Sequence, residues 1–116
     1  MSAEILELQA SLRAFSSERE WDQFHSPKNL ATALSVEAAE LLEHFQWLTE
    51  DQSRSVPDDK REAIAEETAD VFLYLLQLSD KLGIDLVQAA QKKMQTNAIK
   101  YPVERAKGKS KKYSEL

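Results

Sequence analysis

The chain has 116 residues, which predicts one compact domain over residues 1–116 and excludes a second. It has no cysteine, so disulfide bonds and thiolate metal sites are excluded, and its two glycines and three prolines favour long helices joined by short turns. Residues 1–91 carry 7 Lys and Arg against 18 Asp and Glu, whereas residues 92–116 carry 8 against 2, so an acidic body precedes a basic segment.

The first two helices are predicted from apolar spacing and capping residues. The first spans residues 3–18, with one apolar stripe formed by Ile5, Leu8, Leu12 and Phe15. The second begins at Ser26-Pro27, an N-cap followed by proline at the first helical position, and runs to about Leu48.

Two more helices follow a polar segment at residues 49–56. The third opens after Pro57 and ends at Gly83, a typical C-cap. Asp85 caps the fourth, residues 86–100, and residues 103–116 form a basic tail. No segment alternates like a strand. The sequence therefore predicts an all-α protein built as a four-helix bundle.

Carboxylates lie inside the apolar stripes of two of these helices. Glu37 falls in the middle of the second helix's stripe, with Glu40 on its flank. Glu67 has the same place on the third helix, with Asp70 to one side. An ordinary solvated pair would face away from the stripe, so burying the stripe buries these acids. A bound hard cation, Mg²⁺ with Mn²⁺ as a substitute, would neutralise them.

Other metals fit the residues less well. Zinc is disfavoured because only His25 and His44 are available, and calcium more often uses loop carbonyls. A di-iron bundle usually has a Glu-x-x-His on each of two helices, which this chain lacks. Magnesium on carboxylates commonly binds substrate phosphates, which points to phosphoryl chemistry.

Aromatic and basic residues suggest how a nucleotide is bound. Trp47 is seven residues beyond Glu40 and Tyr74 seven beyond Glu67, roughly 10 Å along a helix, comparable to the distance from phosphate to base. Core packing is the simpler explanation for either aromatic residue alone. Lys93, Asn97 and Lys100 share one face of the fourth helix and could reach phosphate or sugar, although a solvated helix face explains them nearly as well.

The motifs together resemble a known family. Glu37 and Glu40 form an ExxE motif, and Glu67 and Asp70 form an ExxD motif, as in the MazG-like all-α nucleoside triphosphate pyrophosphohydrolases. Within that group the chain is most similar to dCTP pyrophosphatases. That similarity is carried by residues 18–25, Lys93-Met94 through Asn97 to Tyr101-Pro102, and Lys112-Tyr113.

The resemblance implies hydrolysis of a deoxynucleoside triphosphate, with dCTP as the expected substrate, between the α- and β-phosphates. Four acids would hold Mg²⁺: Glu37, Glu40, Glu67 and Asp70. Glu40 is also the candidate general base. The residues expected to contact the substrate are Trp21, Asp22, Gln23, Phe24, His25, Asn29, Trp47, Tyr74, Lys93, Asn97 and Tyr101. Leu12 stands where some eukaryotic relatives carry a polar residue that faces the nucleotide, which is a departure at a position expected to affect base selectivity.

The sequence also leaves two other functions open and predicts the oligomeric state, the location and the partners of the protein. A relaxed dNTP or dUTP pyrophosphohydrolase and a non-catalytic nucleotide-binding helical oligomer are the competing functions. The apolar run at residues 71–76 and the family predict a homotetramer, a dimer of dimers. No apolar stretch is long enough for a membrane span, so we expect a cytoplasmic protein with no membrane partner. The acidic body would repel nucleic acid, which is therefore not expected as a partner.

Overall fold

A computed structural model describes residues 2–116, and all the regular structure in that range is helical. The helices, in chain order, are α1 (Ala3–Glu18), α2 (Pro27–Glu43), α3 (Glu50–Ser53), α4 (Asp58–Lys81), α5 (Leu86–Lys100) and α6 (Val103–Ala106). Short 3₁₀ helices lie at Asp22–Phe24 and Tyr113–Glu115. The all-α expectation is confirmed, and α1 and α5 have the predicted bounds.

The start of α2 was predicted correctly, but its end was not. The Ser26 hydroxyl accepts from the Asn29 N–H at 3.2 Å, and Pro27 is the first helical residue. The helix stops at Glu43, because His44 N–H bonds to the carbonyl three residues earlier and tightens the last turn. The predicted continuation to Leu48 is therefore wrong.

The polar segment that follows contains a helix of its own. Thr49 and Gln52 form a capping box, in which each side chain accepts from the backbone N–H of the other. This reciprocal pair starts the single turn α3 within the predicted loop. The turn ends before Pro57, which precedes the first residue of α4.

Helices α1 and α4 end in the same way. In α4, Gly83 has φ +66° and the Ile84 N–H bonds back to Ser79 O at 2.9 Å, which is a Schellman motif. In α1, Glu20 takes the glycine's place with φ +55°, and the Trp21 N–H bonds back to Ser16 O at 2.9 Å. This turn sends residues 21–25 back past the end of α1.

The chain divides into two compact units, residues 2–84 and residues 85–116. In the first unit α2 packs along α4, and α1 packs on α4 with fewer contacts. Leu30 of α2 and Leu76 of α4 are fully buried there. No helix within residues 2–116 has both the length and the apolar character that crossing a membrane requires.

The buried face of α1 differs from the predicted stripe. Leu8 and Phe15 are exposed, whereas Gln9 and Ser16 are buried at 4% and 6% exposure. Gln9 is tolerated inside because its side-chain amide donates to Leu76 O across the interface with α4 at 3.1 Å. The predicted stripe is thus wrong at Leu8 and Phe15, since a cross-helix hydrogen bond offsets the cost of burying an amide.

The second unit contains α5, α6 and the last 3₁₀ helix. The Asp85 carboxylate accepts from the Gln88 N–H at 3.0 Å, as expected for the cap of α5. The rings of Tyr101 and Tyr113 meet edge to face, and the Lys100 ammonium lies 4.8 Å from the Tyr113 ring centre. The residues predicted as a basic tail therefore include local helical structure.

Candidate functional site

An acidic cluster forms where α2 packs on α4. Glu37 of α2 and Glu67 and Asp70 of α4 each contribute one carboxylate oxygen to a group whose members all lie within 4.8 Å of one another. Glu67 and Asp70 meet Glu37 from the same side because they are three residues apart on one helix. Glu37 and Glu67 are half-buried, whereas Asp70 is exposed.

Two oxygens of this cluster lack partners. Glu37 Oε2 and Glu67 Oε2 are buried, and neither has a hydrogen-bond donor within residues 2–116. A buried carboxylate oxygen without a donor or a counter-charge is costly, so such atoms are uncommon unless a ligand binds them. The atoms available to bind a metal are all carboxylate oxygens, which suit a hard divalent cation. The three acids therefore form a candidate divalent-metal site.

The electrostatics of Glu37 reflect this crowding. Its pKa is raised from 4.5 to about 7, chiefly by burial, and hydrogen bonds with the carboxyl groups of Glu40 and Glu67 contribute to the same rise. The negative charges of Glu40 and Asp70 act in the same direction. Glu40 is half-buried and lies beside Glu37, but it is not one of the three acids whose oxygens converge.

The segment Trp21–His25 is held by its own polar groups. The Gln23 side-chain amide donates to Glu20 O, and the Asn29 side-chain amide donates to Phe24 O, both at 2.9 Å. These two predicted substrate-binding side chains thus shape the segment itself. Asp22 pairs with Lys81 of α4 at 2.5 Å, and the hydrogen bond and charge of that ammonium hold the pKa of Asp22 below its usual range.

Aromatic contacts order the same segment. The Trp21 ring meets Phe15 edge to face at 5.7 Å between centres, and it meets His25 in the same way at 6.4 Å. The Arg19 guanidinium lies over the Phe15 ring, 3.6 Å from the ring centre. Trp21 and Phe24 stay exposed, whereas His25 is half-buried.

A cavity of about 480 Å³ lies between α1, this segment and the C-terminal half of α4. Asp22 and His25 are the two predicted substrate-binding residues on its wall. The residues that complete the wall are Gln9, Leu12, Arg13, Ser16, Ser17, Leu76, Gln77, Asp80 and Lys81. The sequence analysis missed all of these except Leu12. Gln9 and Ser16 lie one turn to either side of Leu12 on α1. This spacing places the three side chains on one helix face, and it could have predicted that the polar pair lines the same cavity as Leu12.

The two aromatic residues chosen by spacing have different environments. Tyr74 lies on α4 one turn beyond Asp70 and is half-buried. Trp47 lies in the turn after α2 and is 87% exposed. Because α2 ends at Glu43, the argument that placed Trp47 two helical turns beyond Glu40 on the same face is wrong.

The remaining predicted residues belong to the second unit. Lys93 and Asn97 are one turn apart on α5, where Lys93 is exposed and Asn97 half-buried. Tyr101 follows α5, and its backbone N–H bonds to Asn97 O at 2.8 Å. Their roles toward a substrate stay predictions.

Known proteins resemble this chain along most of its length. The chain is 44% identical to dCTP pyrophosphatase 1 of Mus musculus and 41% identical to that of Homo sapiens, over 104 residues that make up 88% of this chain. It spans about 61% of the length of these curated relatives.

A solved structure shows the same fold. The crystal structure of a pyrophosphatase from Archaeoglobus fulgidus superposes with a TM-score of 0.82 at 42% sequence identity. The match covers 88% of this chain and 95% of that one. The profile of the MazG-like family matches residues 32–116, which include all four predicted metal ligands and the whole of α4 and α5. The resemblance seen in the motifs is confirmed, and the chain belongs to the MazG-like family.

Proposed function

We propose that this protein hydrolyses deoxynucleoside triphosphates, dCTP foremost, to the nucleoside monophosphate and pyrophosphate in a magnesium-dependent reaction. The observation that carries the proposal is the acidic cluster with its two unpartnered buried oxygens. Support also comes from the curated relatives, which are dCTP pyrophosphatases at 40–44% identity. The role that follows is control of the nucleotide pool, which fits a cytoplasmic protein.

The acids of the cluster are the proposed metal ligands. Glu37, Glu67 and Asp70 would hold Mg²⁺, or Mn²⁺ in its place, and Glu40 beside them would complete the set. When bound, the cation would neutralise phosphate charge and polarise the reacting groups. Hydrolysis adds water to the α-phosphorus, breaks its bond to the bridging oxygen and releases pyrophosphate.

Glu40 is the proposed general base. Its side chain is half-buried and lies beside Glu37, and its carboxylate is not among the three whose oxygens lie within 4.8 Å of one another. Its carboxylate would take a proton from the attacking water, while the other acids keep their charge for the metal. Glu40 would thus act both as the fourth ligand of the cation and as the acceptor of the proton.

The nucleoside part of the substrate would extend from the acidic cluster toward the cavity between α1 and α4. Asp70 and Gln77 are seven residues apart on α4, so roughly 10 Å of helix separates the acids from the cavity wall. That distance suits a triphosphate at the acids and a base near His25. Tyr74, between the two, would contact the sugar or base. We assign contacts to the remaining predicted residues on resemblance alone: Trp21, Asp22, Gln23, Phe24, Asn29, Trp47, Lys93, Asn97 and Tyr101.

We further propose that the chain forms one MazG-like domain, folds as a four-helix bundle and assembles as a homotetramer, a dimer of dimers. Within residues 2–116 only two large apolar side chains, Leu30 and Leu76, are fully buried. Many others are exposed, among them Phe72, Met94, Ile99 and Val103. A single chain thus buries little apolar surface, and symmetric association is the common remedy.

A substrate panel tests the proposed function. Purified protein is incubated with each deoxynucleoside triphosphate, with dUTP and with CTP, in Mg²⁺, in Mn²⁺ or in a chelator, and released pyrophosphate is measured. We expect release in Mg²⁺, loss in chelator and the highest kcat/KM for dCTP. Equal kcat/KM for dCTP and dATP would contradict the cytosine preference and favour the relaxed enzyme. Nucleotide binding without pyrophosphate release would favour the non-catalytic oligomer.

A further inference from the structure

Ser16 is attached to the segment that carries His25 by two of its polar groups. Its hydroxyl oxygen lies 3.3 Å from Nδ1 of His25, and its carbonyl oxygen accepts from the Trp21 N–H at 2.9 Å. The side chain is 6% exposed, and both Ser16 and His25 line the cavity. Ser16 therefore fixes this segment at its beginning and at its end.

Other hydroxyls in the same unit behave differently. Thr32 and Ser35 of α2 and Thr68 of α4 donate to the carbonyl four residues earlier in their own helix, at 2.7 to 3.1 Å. That is the ordinary arrangement for a hydroxyl within a helix. The hydroxyl of Ser16 instead faces the imidazole. Because the hydroxyl is buried, its hydrogen bond must be made within the protein, and Nδ1 of His25 is the partner that it faces.

We propose that Ser16 is a positioning residue whose hydroxyl donates to Nδ1 of His25 and holds the neutral imidazole with its proton on Nε2. A neutral imidazole that accepts at Nδ1 must carry its proton on the other nitrogen. The edge-to-face contact with Trp21 restrains the same ring from its side. His25 then offers the cavity an N–H donor of fixed direction.

This donor has a consequence for the substrate, which rests on the proposed function. Within a nucleotide, the partner for a fixed N–H is an acceptor atom, such as a carbonyl oxygen of a pyrimidine or a sugar oxygen. Losing the orientation of the ring should weaken binding more than it slows the chemical step, because the acids proposed to act on the phosphates lie on α2 and α4 and are not part of the cavity wall.

Nitrogen NMR of the imidazole tests the positioning role directly. The chain has two histidines, so His44→Gln leaves His25 as the sole imidazole signal. In this parent at alkaline pH we expect the Nε2–H tautomer with a hydrogen-bonded Nδ1. Adding Ser16→Ala should shift the Nδ1 resonance and mix the tautomers, whereas adding Ser11→Ala, at an exposed position of α1, should change neither. A parent with its proton on Nδ1 would overturn the proposal even if Ser16→Ala failed to fold.

Kinetics supply the second readout. We expect Ser16→Ala to raise KM for the preferred nucleotide roughly three- to tenfold, the size of one hydrogen bond, with kcat little changed. In a His25→Gln background, Ser16→Ala should add almost nothing, because its effect passes through the imidazole. Additive effects would contradict the positioning role. If the wild type released no pyrophosphate from any nucleotide, the proposed function would fail, and the NMR comparison would still decide the role of Ser16.

Discussion

At the scale of single residues, α2 and α4 bring the carboxylates of Glu37, Glu67 and Asp70 together, and two of their buried oxygens have no hydrogen-bond partner within residues 2–116. Glu37 shows the effect most clearly, since burial and its acidic neighbours raise its pKa to about 7. A proton and a divalent cation then compete for the same oxygens. Below about pH 7 the metal-free protein should accordingly hold the protonated form of this residue.

The raised pKa of Glu37 predicts a pH dependence of stability. An acid whose pKa is 4.5 when unfolded and about 7 when folded contributes stability below 4.5, and this stability is lost as the pH rises through about 7. We expect metal-free protein to become easier to unfold with urea across that window. Glu37→Gln cannot ionise, so its stability should fall less, and parallel curves for the two proteins would contradict the shift.

Replacement of Glu67 separates catalysis from folding. Glu67→Gln should abolish turnover at saturating Mg²⁺, because it removes a proposed ligand whose Oε2 is buried and unpartnered. The metal-free fold should be retained or even stabilised, since a repelling buried charge is gone. Pyrophosphate release and urea unfolding measure the two effects. Glu66→Gln, at an exposed position on the same helix, is the matched control. Near-normal activity of Glu67→Gln would refute the assigned metal site.

At the scale of elements, the ends of α1 and α4 allow a direct comparison. Both use a Schellman turn, but α4 places Gly83 at the left-handed position and α1 places Glu20 there. A side chain at positive φ strains the backbone, whereas glycine does not. The strained turn precedes the segment that brings Asp22 and His25 to the cavity wall.

This comparison predicts opposite effects of two substitutions. Glu20→Gly should stabilise the protein by about 0.5–1 kcal/mol, because relief of strain outweighs the added freedom of the unfolded chain. Gly83→Ala should destabilise it by about 1 kcal/mol, although an added Cβ meets no atom within 4 Å. Thermal and urea unfolding measure both. Glu20→Ala, which keeps the strain and removes the charge, should change little, and destabilisation by Glu20→Gly would argue against strain.

At the scale of the whole molecule, the exposed apolar side chains of the single chain predict association. Phe72, in the middle of the apolar run of α4, is exposed, as are Met94 and Ile99 on α5. We expect light scattering at micromolar concentration to give four times the chain mass of 13.2 kDa. Phe72→Glu should weaken the assembly while Glu66→Gln does not, and a stable wild-type monomer would refute the tetramer.

Trp47 also bears on association, because residues 2–116 leave its side chain almost fully exposed. At 87% exposure it is available to a nucleotide or to another copy of the chain. We expect Trp47→Ala to raise KM and to flatten the preference among bases, with a smaller effect on kcat, because stacking contributes to binding more than to chemistry. Steady-state kinetics with dCTP and dATP measure this. A loss confined to kcat would contradict a role in base binding.

The sequence by itself determined the features that depend on neighbouring residues. The bounds of α1 and α5 and the start of α2 follow from capping residues and apolar spacing, which act within a few residues. The approach of Glu37 to Glu67 was also predictable, because a carboxylate inside an apolar stripe must be buried with that stripe.

The tertiary structure alone decided the rest. The end of α2 at Glu43 and the exposure of Trp47 both depend on where the backbone turns after the helix. The burial of Gln9 and Ser16 depends on partners 67 and 9 residues away, Leu76 and His25. Local propensity favours an apolar residue on a buried face, and only a hydrogen bond from a distant part of the chain makes a polar one stable there.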